Sequence, residues 1–191
     1  MLIAIVGLNG SGKDTAAKYL KDTHGFEWVS LSDIVRNEVR ARGLDPGNRD
    51  NLNLVSETLR KEEGPDYLAK RALKNYSSKK KLVLSSFRHP TEIDRVKEAN
   101  GFVVLVDVNL ETRFKRTAER VRKNPLDHGS LSFEDFKAKE ERELSNPDKD
   151  KMQILEVLKK IEFKVDNSSS VEELYSQLDS LLLKLSKLGQ Q

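Results

Sequence analysis

The stretch GLNGSGKDT, residues 7–15, decides how the rest of the chain is interpreted. It follows an apolar run and has the spacing G-x-x-x-x-G-K, which is typical of a P-loop (Walker A), a loop whose backbone N–H groups bind phosphate. The residue after the lysine is Asp14, where a serine or threonine hydroxyl normally reaches a magnesium ion. The stretch therefore predicts a phosphate site with an altered metal ligand.

Several positions of this loop have a chemical role. A Cβ at the second or third glycine would obstruct the approach of phosphate or the dihedrals of the loop, and the lysine brings a positive charge to the β- and γ-phosphates. The acid can hold magnesium directly or through water, or it can simply suit the first turn of a helix. A glycine-rich turn with an incidental lysine is the alternative to nucleotide binding. We assign nucleotide binding to Gly7, Asn9, Gly10, Ser11, Gly12, Lys13, Asp14 and Thr15.

The surrounding sequence favours nucleotide binding because it alternates strands with helices. Residues 2–6, LIAIV, are apolar at both odd and even positions, as in a strand whose two faces are both covered. Further strands are predicted at residues 27–31, 82–87, 102–108 and 163–167, and helices at residues 12–23, 32–42, 51–62, 65–76, 90–100, 110–123, 132–144, 148–160 and 170–188. Ser32 is expected to cap the second helix. The predicted fold class is α/β, a three-layer sandwich with a five-stranded parallel sheet, helices on both faces and ligands at the strand carboxyl ends.

Composition limits the domain organisation and the class of partner. A chain of 191 residues with 34% charged residues and a net charge of +3 suits one globular domain, residues 1–191. Basic and acidic residues are interleaved along the helices, so we do not expect nucleic acid as a partner. The absence of cysteine excludes disulfides and thiolate metal sites. Because no long apolar run occurs, we expect a cytoplasmic protein without a membrane segment.

The last predicted helix carries an apolar stripe at helical spacing. Its members are Val171, Leu174, Tyr175, Leu178, Leu181, Leu182 and Leu185. Such a stripe usually covers the core of its own chain, and a dimerising coil is the alternative. We therefore expect a monomer or a homodimer.

Beyond the loop, the chain resembles the nucleoside-monophosphate-kinase branch of P-loop proteins, which includes adenylate kinases, dephospho-CoA kinases and deoxynucleoside-monophosphate kinases. Some members of that branch carry G-K-D-T, as this chain does at residues 12–15. SLSDIVR, residues 30–36, resembles the segment in which an Asp and, three residues on, an Arg begin the acceptor-binding helix, and Asp33 and Arg36 match it. VLSSFRHP, residues 83–90, resembles the turn whose arginine grips the acceptor phosphate, here Arg88.

Two further parts of the resemblance concern the end of the chain and its overall pattern. VDNSSSVEEL, residues 165–174, is similar to the last strand and turn of these kinases, where backbone near Asn167 and Ser168 would border the adenine. The combination of LRKEEGPDYLAKRAL, SFRHPTEID and FKAKEERELS resembles mainly archaeal P-loop proteins that are dephospho-CoA-kinase-like or adenylate-kinase-like. The resemblance covers nearly the whole chain. It implies ATP and Mg²⁺, an acceptor-binding helical region at about residues 32–76 and a short lid at about residues 122–133.

Phosphoryl transfer requires positive groups around the moving phosphoryl group, which makes the arginines informative. Arg36 and Arg88 are expected to hold the acceptor's phosphate, since a planar guanidinium can engage two oxygens at once. Arg116 and Arg120 lie one helical turn apart before the predicted lid, and Arg142 lies on the returning helix. For these last three a solvated surface position is an equally good explanation. The predicted catalytic set is Lys13, Asp33, Arg88, Arg116 and Arg120.

One departure from the family pattern concerns the metal. Family members usually carry an Asp at the end of the third strand, where this chain has Ser85 followed by Ser86. Asp14 and Asp33 could compensate through metal-bound water, and Asp33 could instead act as a general base. The departure favours a low turnover or a binding role.

These features leave three functional hypotheses. The first is an ATP-dependent kinase for a small phosphorylated or nucleotide-like acceptor, with a nucleoside or deoxynucleoside monophosphate ahead of dephospho-CoA. The second is a P-loop ATPase or switch that acts with a protein or RNA partner. The third is a nucleotide sensor without catalysis, which gains support from the serines at the end of the third strand.

Overall fold

A computed structural model describes residues 1–123, 132–144 and 151–189 of the chain. Within these residues five parallel strands form one sheet in the order β2-β3-β1-β4-β5. The strands are β1 (Leu2–Val6), β2 (Glu27–Ser30), β3 (Leu82–Ser85), β4 (Phe102–Asp107) and β5 (Phe163–Asp166). The predicted strand set and the parallel sheet are confirmed.

Helices join successive strands and cover the sheet. They are α1 (Lys13–His24), α2 (Leu31–Ala41), α3 (Arg49–Glu63), α4 (Tyr67–Leu73), α5 (Pro90–Glu98), α6 (Leu110–Lys123), α7 (Phe133–Leu144), α8 (Ile154–Leu158) and α9 (Val171–Leu188). The helix predicted at residues 148–160 is therefore shorter, and part of that range lies outside the described residues. The predicted acceptor-binding region, residues 32–76, contains α2, α3 and α4.

The start of the second helix differs from the prediction. Ser30, not Ser32, precedes the first helical residue, and its φ of −90° and ψ of 124° are those of extended chain. Strand β2 passes into α2 without a connecting loop, so the last strand residue also takes the capping position. The prediction of Ser32 was wrong because it allowed for one more strand residue than the sheet pairs.

The alternation of side chains along β1 divides the core into two layers. Leu2, Ala4 and Val6 pack in a cluster with residues of α2, α3, α4, α5 and α8. Ile3 and Ile5 point to the opposite face and pack with residues of α1 and α9. This arrangement explains why the residues at both odd and even positions of β1 are apolar. The helices cover the two faces of the sheet, and the site lies at the carboxyl ends of the strands.

Helix α9 covers the second of these faces. Leu174, Leu178 and Leu185 are buried in the cluster that contains α1 and β5, so the stripe covers the protein's own core. Leu183, on the same helix, is 69% exposed. None of the helices in the described ranges is both long and apolar enough to cross a bilayer.

The packing of α9 predicts a large difference between two leucine substitutions on one helix. Leu174→Ala should lower the free energy of unfolding by about 2–5 kcal/mol because it opens a cavity in the core. Leu183→Ala should change it by less than about 0.5 kcal/mol because its side chain lies in solvent. Urea denaturation measures both values. Similar losses for the two variants would contradict the described packing of α9.

Candidate functional site

The loop at residues 7–12 joins β1, the central strand, to α1 at the carboxyl edge of the sheet. Gly10 and Gly12 have φ angles of 80° and 90°, which confirms the dihedrals predicted for them. A Cβ on Gly10 would lie 2.4 Å from the backbone oxygen of Arg113, and one on Gly12 would lie 2.2 Å from Asn167 Nδ2. Residues from other parts of the same chain therefore pack so closely against the loop that there is no room for a Cβ at these two positions.

Lys13, the first residue of α1, lies among other cations. Its side chain is 14% exposed, and its Nζ is 3.5 Å from Asp14 Oδ2. Burial lowers the pKa of Lys13, Asp14 opposes this shift, and the positive charges of Arg88 and Arg120 lower the pKa further. A buried ammonium group close to two guanidinium groups, with one adjacent carboxylate, attracts an anion.

Asn167 ties the loop to the two strands on its other side. Its Nδ2 donates to the backbone oxygen of Ser11 at 2.7 Å, and its backbone N–H donates to the backbone oxygen of Asp107 at 2.8 Å. Arg116 Nη2 in turn donates to the backbone oxygen of Asn167 at 2.9 Å. The structure thus brings together two residues predicted from distant parts of the sequence, with Asn167 against the glycine loop and Arg116 against Asn167.

Two other predicted residues lie on the same side. Arg120 Nη2 lies 3.4 Å from Asn9 Oδ1, a long hydrogen bond to the loop. The hydroxyl and backbone N–H of Ser168 donate to Asp166 Oδ1 at 2.6 and 3.2 Å, which fixes the turn that follows β5. Arg120 therefore joins the loop, whereas Ser168 stabilises the turn beside it.

Three buried polar atoms near the loop have no hydrogen-bond partner among the described residues. They are Ser11 Oγ, Arg116 Nη1 and Thr117 Oγ1. Thr117 Oγ1 would lie 2.9 Å from a Cβ on Gly10, so it lies against the loop. Because a buried polar atom without a partner costs about 1–3 kcal/mol, a ligand or water that meets these atoms is favoured here.

The residues near the loop suit a magnesium ion held mainly by phosphates. Among residues 1–123, 132–144 and 151–189, no group of three or more His, Cys, Asp or Glu side chains could hold a metal ion by itself. Magnesium, however, commonly takes one or two protein carboxylates and completes its shell with water and phosphate oxygens. Asp14 is 59% exposed at the start of α1 and can supply one such carboxylate.

A cavity of about 130 Å³ lies at the same carboxyl edge, beyond β2 and β3. As far as the described residues show, its lining combines four arginines with polar and apolar side chains and no carboxylate. The lining residues are Leu31, Ser32, Val35, Arg36, Arg49, Leu52, Asn53, Ser56, Arg60, Leu68, Ser86, Arg88 and Met152. The structure therefore places Arg36 and Arg88, the two predicted acceptor residues, in one cavity.

A carboxylate from α7 links two of these arginines. Glu143 Oε1 is 2.5 Å from Arg49 Nη2, and Glu143 Oε2 is 3.6 Å from Arg88 Nη1. One end of this bridge is therefore Arg88, whose charge also reaches Lys13. Arg88 thus lines the cavity and influences the lysine of the glycine loop through its charge.

Asp33 is placed differently from the other predicted site residues. Its carboxylate is 64% exposed and accepts a hydrogen bond from Arg36 Nη1 at 2.8 Å. It is not among the residues that line the cavity. In this structure Asp33 orients Arg36, and its predicted roles as a base or a magnesium partner stay predictions.

The serines at the end of β3 have two different environments. Ser85 is fully buried, and its hydroxyl accepts a hydrogen bond from Trp28 Nε1 at 3.0 Å. Ser86 lines the cavity with a φ of 70°, a left-handed conformation that is uncommon outside glycine, and its hydroxyl is 3.1 Å from Ser30 Oγ. Only Ser86 of this pair borders the site.

The sequence did not single out two arginines that line the cavity, Arg49 and Arg60, or Glu143, which pairs with lining arginines. Arg49 and Arg60 lie on α3 among many other charged residues, so sequence alone gave no reason to prefer them. A weak signal was available for Arg60, which follows the buried positions Val55 and Leu59 on the apolar face of the helix. Glu143 carried no such signal.

The predicted lid, residues 122–133, falls largely outside the described residues. Its first residues complete α6, and its last belong to the start of α7. Arg142, the further candidate on α7, donates to the backbone oxygen of Ala138 in its own helix and is exposed. Its expected role stays a prediction.

The sheet order and the glycine loop define a P-loop kinase-like fold. Solved structures with this fold include shikimate kinase from Acinetobacter baumannii in complex with shikimate, which is 18% identical with a TM-score of 0.56, and the two align over 97% of this chain and 93% of that one. Shikimate kinase from Aquifex aeolicus is also 18% identical, with a TM-score of 0.54, over 99% of this chain and 98% of that one. At such identities the likeness shows the fold.

Sequence relatives identify the family. The AAA domain family profile matches residues 3–156. The UPF0200 protein of Methanothrix thermoacetophila is 32% identical over 75% of this chain and 78% of the relative, and that of Pyrobaculum aerophilum is 29% identical over 96% and 98%. The chain belongs to the AAA domain family and, within P-loop proteins, to the UPF0200 family.

One relative is considerably longer than this chain. The UPF0200/UPF0201 protein of Archaeoglobus fulgidus is 33% identical over 97% of this chain, but the match spans only 56% of that protein. The chain thus corresponds to about half of the Archaeoglobus relative and to nearly all of the Pyrobaculum one.

The close packing around Gly10 predicts that two glycine substitutions with the same backbone strain will differ. Gly10 and Gly25 both have positive φ, but a Cβ on Gly25 has no atom within 4 Å. Gly25→Ala should lower the free energy of unfolding by about 1 kcal/mol, and Gly10→Ala by about 1–3 kcal/mol more because it meets the Arg113 backbone. Chemical denaturation measures both values. Equal losses would contradict the described loop.

Proposed function

We propose that the protein is an ATP-dependent phosphotransferase that moves the γ-phosphoryl group to a small phosphorylated or nucleotide-like acceptor. The observation that carries this proposal is the position of Arg88. It lines the arginine-rich cavity, and its charge also lowers the pKa of Lys13 in the glycine loop. A donor phosphate on the loop and an acceptor in the cavity would therefore meet at one cationic point, as phosphoryl transfer requires.

The donor half of the site is formed by the loop and its two flanking elements. The first backbone N–H groups of α1 have no acceptor within the helix, so they are available to phosphate oxygens. Lys13 supplies a full positive charge to the β- and γ-phosphates. Arg120 contacts the loop at Asn9 and Arg116 contacts Asn167 beside it, and both would meet charge on the donor, while backbone near Asn167 and Ser168 would border the adenine.

Asp14, with Asp33 through water, is the proposed protein contribution to the magnesium shell. A bound magnesium ion neutralises charge on the β- and γ-phosphates and fixes their orientation. The short distance from Asp14 to Lys13 puts both side chains at the same end of α1, where those phosphates would lie. The serines that follow β3 provide no carboxylate, so Asp14 is the main candidate.

In the proposed reaction an acceptor oxygen donates an electron pair to the γ-phosphorus and forms the new P–O bond. The bond from the γ-phosphorus to the bridging oxygen breaks, and ADP leaves with that electron pair. A phosphate oxygen as nucleophile has no proton to lose, whereas a hydroxyl would release its proton to water or to a carboxylate such as Asp33. Lys13 and Arg88 stabilise the charge that moves between the two oxygens.

The acceptor half of the site is the cavity, where Arg36 and Arg88 hold the acceptor's phosphate. Asp33 orients Arg36 through its 2.8 Å hydrogen bond. Nucleoside monophosphates, deoxynucleoside monophosphates and dephospho-CoA are the acceptors to be compared first. A screen for ADP release with ATP and magnesium, with and without each acceptor, tests the proposal. An increase with one acceptor supports it, whereas rapid ADP release that is the same with and without every acceptor argues against it.

One observation favours a second candidate, a P-loop ATPase or switch that acts with a protein or RNA partner. Ser85 and Ser86 occupy the end of β3, so the carboxylate that would help to organise magnesium in a fast kinase is absent from that strand end. A switch would hydrolyse ATP without a small acceptor and would respond to its macromolecular partner. The same ADP-release screen separates the two candidates.

The proposed role of Lys13 predicts that Lys13→Ala weakens ATP binding at least about tenfold, because charge-assisted contacts to the phosphates are lost. Lys18→Ala is the matched control, since Lys18 lies on the same helix with a 68% exposed side chain paired to Asp22. Isothermal titration calorimetry measures both affinities. An unchanged affinity in Lys13→Ala would remove the lysine from the phosphate site.

The proposed role of Arg88 predicts a different defect. Arg88→Ala should leave ATP affinity within about twofold and lower kcat/KM for the acceptor about hundredfold, because a cation at the transferring phosphoryl group is lost. Arg42→Ala serves as control, because Arg42 pairs with Glu38 away from the cavity lining. Steady-state kinetics with the acceptor found in the screen measures kcat/KM for both variants. Wild-type kinetics in Arg88→Ala would exclude it from the site.

A further inference from the structure

Arg60 is the least exposed of the cavity arginines whose contacts are described. The residue is 5% exposed and lies on α3, and both Arg60 and Ser56 of that helix line the cavity. Its Nη1 is 3.4 Å from Ser56 Oγ, a distance at the limit of a hydrogen bond, and its Nε has no partner among the described residues. A guanidinium has five N–H donors, so most of its hydrogen-bonding capacity is not used by these contacts.

The buried carboxylate next to Arg60 does not satisfy these donors. Glu92 Oε2 accepts hydrogen bonds from the backbone N–H groups of Arg88 and His89 at 2.8 and 3.0 Å. Glu92 Oε1 lies 3.9 Å from Arg60 Nη2, which is too long for a hydrogen bond, and has no other partner among the described residues. Glu92 thus balances the charge of Arg60 from a distance but leaves its donors available.

Two other arginines of the lining, Arg49 and Arg88, already share an anion. The Glu143 carboxylate, which comes from α7 and is not itself part of the described lining, lies between them with one oxygen on each. The ion pair described for Arg60 is the long one to Glu92. Among the described residues, Arg60 is therefore a guanidinium of the lining without an anion in hydrogen-bond contact.

We propose that Arg60, together with Ser56, forms a second anion-binding site at the inner end of the cavity. The inference rests on the proposed function and narrows its acceptor. The acceptor is then a compact molecule with two anionic groups, one near Arg88 and the other a carboxylate or phosphate on Arg60. The small volume, about 130 Å³, and the apolar wall of Val35, Leu52 and Leu68 suit a short carbon framework between the two groups.

This assignment discriminates among acceptors. A nucleoside monophosphate has a single anionic group, its phosphate, and directs an uncharged sugar and base into the rest of the cavity. Bases are commonly held by stacking on aromatic rings, and no aromatic side chain belongs to the described lining. The inner arginine therefore favours a doubly anionic acceptor over a nucleoside monophosphate.

The first test compares small probes by calorimetry in the Lys13→Ala background, which weakens competing binding at the glycine loop. Methylphosphonate carries one anionic group, phosphonoacetate carries a phosphonate and a carboxylate, and methylenebisphosphonate carries two phosphonates. We expect one or both of the two-anion probes to bind at least about tenfold more tightly than methylphosphonate. The tighter of the two shows whether the inner group is a carboxylate or a phosphate. Equal affinities for all three probes would overturn the proposal.

The second test assigns the preference to Arg60. Because Arg60→Met alone would leave Glu92 buried without its counter-charge, the Arg60→Met/Glu92→Gln pair is used, with circular dichroism as the check of folding. The pair should reduce the preference for two anionic groups to within about twofold. Arg71→Met is the matched control, because Arg71 is 45% exposed and does not line the cavity, and it should keep the full preference. A folded double variant with the full preference would overturn the proposal.

A measurement on the unaltered side chain keeps the test valid if the double variant does not fold. In protein with ¹⁵N-labelled arginine, the Nε–H resonance of Arg60 should shift when a two-anion probe binds. A two-anion probe that binds without moving this resonance would overturn the assignment.

The outcome for this site is separable from the outcome for the proposed function. ATP titrated into wild-type protein and into Lys13→Ala shows whether the glycine loop binds the nucleotide. If ATP binds and the probes show no preference, only the inner anion site fails. If ATP does not bind, the proposed phosphotransferase fails, and the probe titrations still report on the cavity.

Discussion

The contact between Asn167 and the glycine loop is the constraint on which the site depends. Asn167 holds the loop through the backbone oxygen of Ser11 and holds β4 through the backbone oxygen of Asp107. The loop can approach this side chain so closely only because residue 12 has no Cβ. On the other side of the loop, the backbone oxygen of Arg113 lies so close to Gly10 that a Cβ there would collide with it. The loop is thus preorganised by its neighbours, so its shape does not have to form when a phosphate arrives.

The parallel sheet brings the glycine loop and the arginine-rich cavity next to each other. Because β1 and β3 are adjacent and parallel, the glycine loop after β1 and the turn after β3 leave the sheet at the same edge. Arg88 follows β3 and lines the cavity, and its positive charge lowers the pKa of Lys13, so this side chain acts on both parts. The surplus of cations at this point would be costly in a protein without an anionic ligand, which is the physical reason for assigning phosphate chemistry to it.

The sequence predicted the scaffold better than the arginine-rich cavity. Apolar runs and glycine spacing are local signals, so β1, the loop and the order of strands and helices could be read directly. Ser32 was preferred to Ser30 as a cap because the sequence cannot show where strand pairing ends. Arg60 and Glu143 were missed because their importance comes from distant partners: Glu143 meets Arg49 across 94 positions of the chain. From sequence alone, a charged helix residue that lines a site cannot be distinguished from one that faces solvent, because the difference depends on tertiary packing.

The central claim is that the loop at residues 7–13 receives the β- and γ-phosphates of ATP. A crystal structure of the protein with magnesium and a non-hydrolysable ATP analogue tests this claim most directly. The account predicts both phosphates within the loop, hydrogen-bonded to the first N–H groups of α1, with Lys13 Nζ in contact with the γ-phosphate and Arg88 on its far side. An analogue bound elsewhere, or a loop that stays empty at saturating nucleotide, would contradict it.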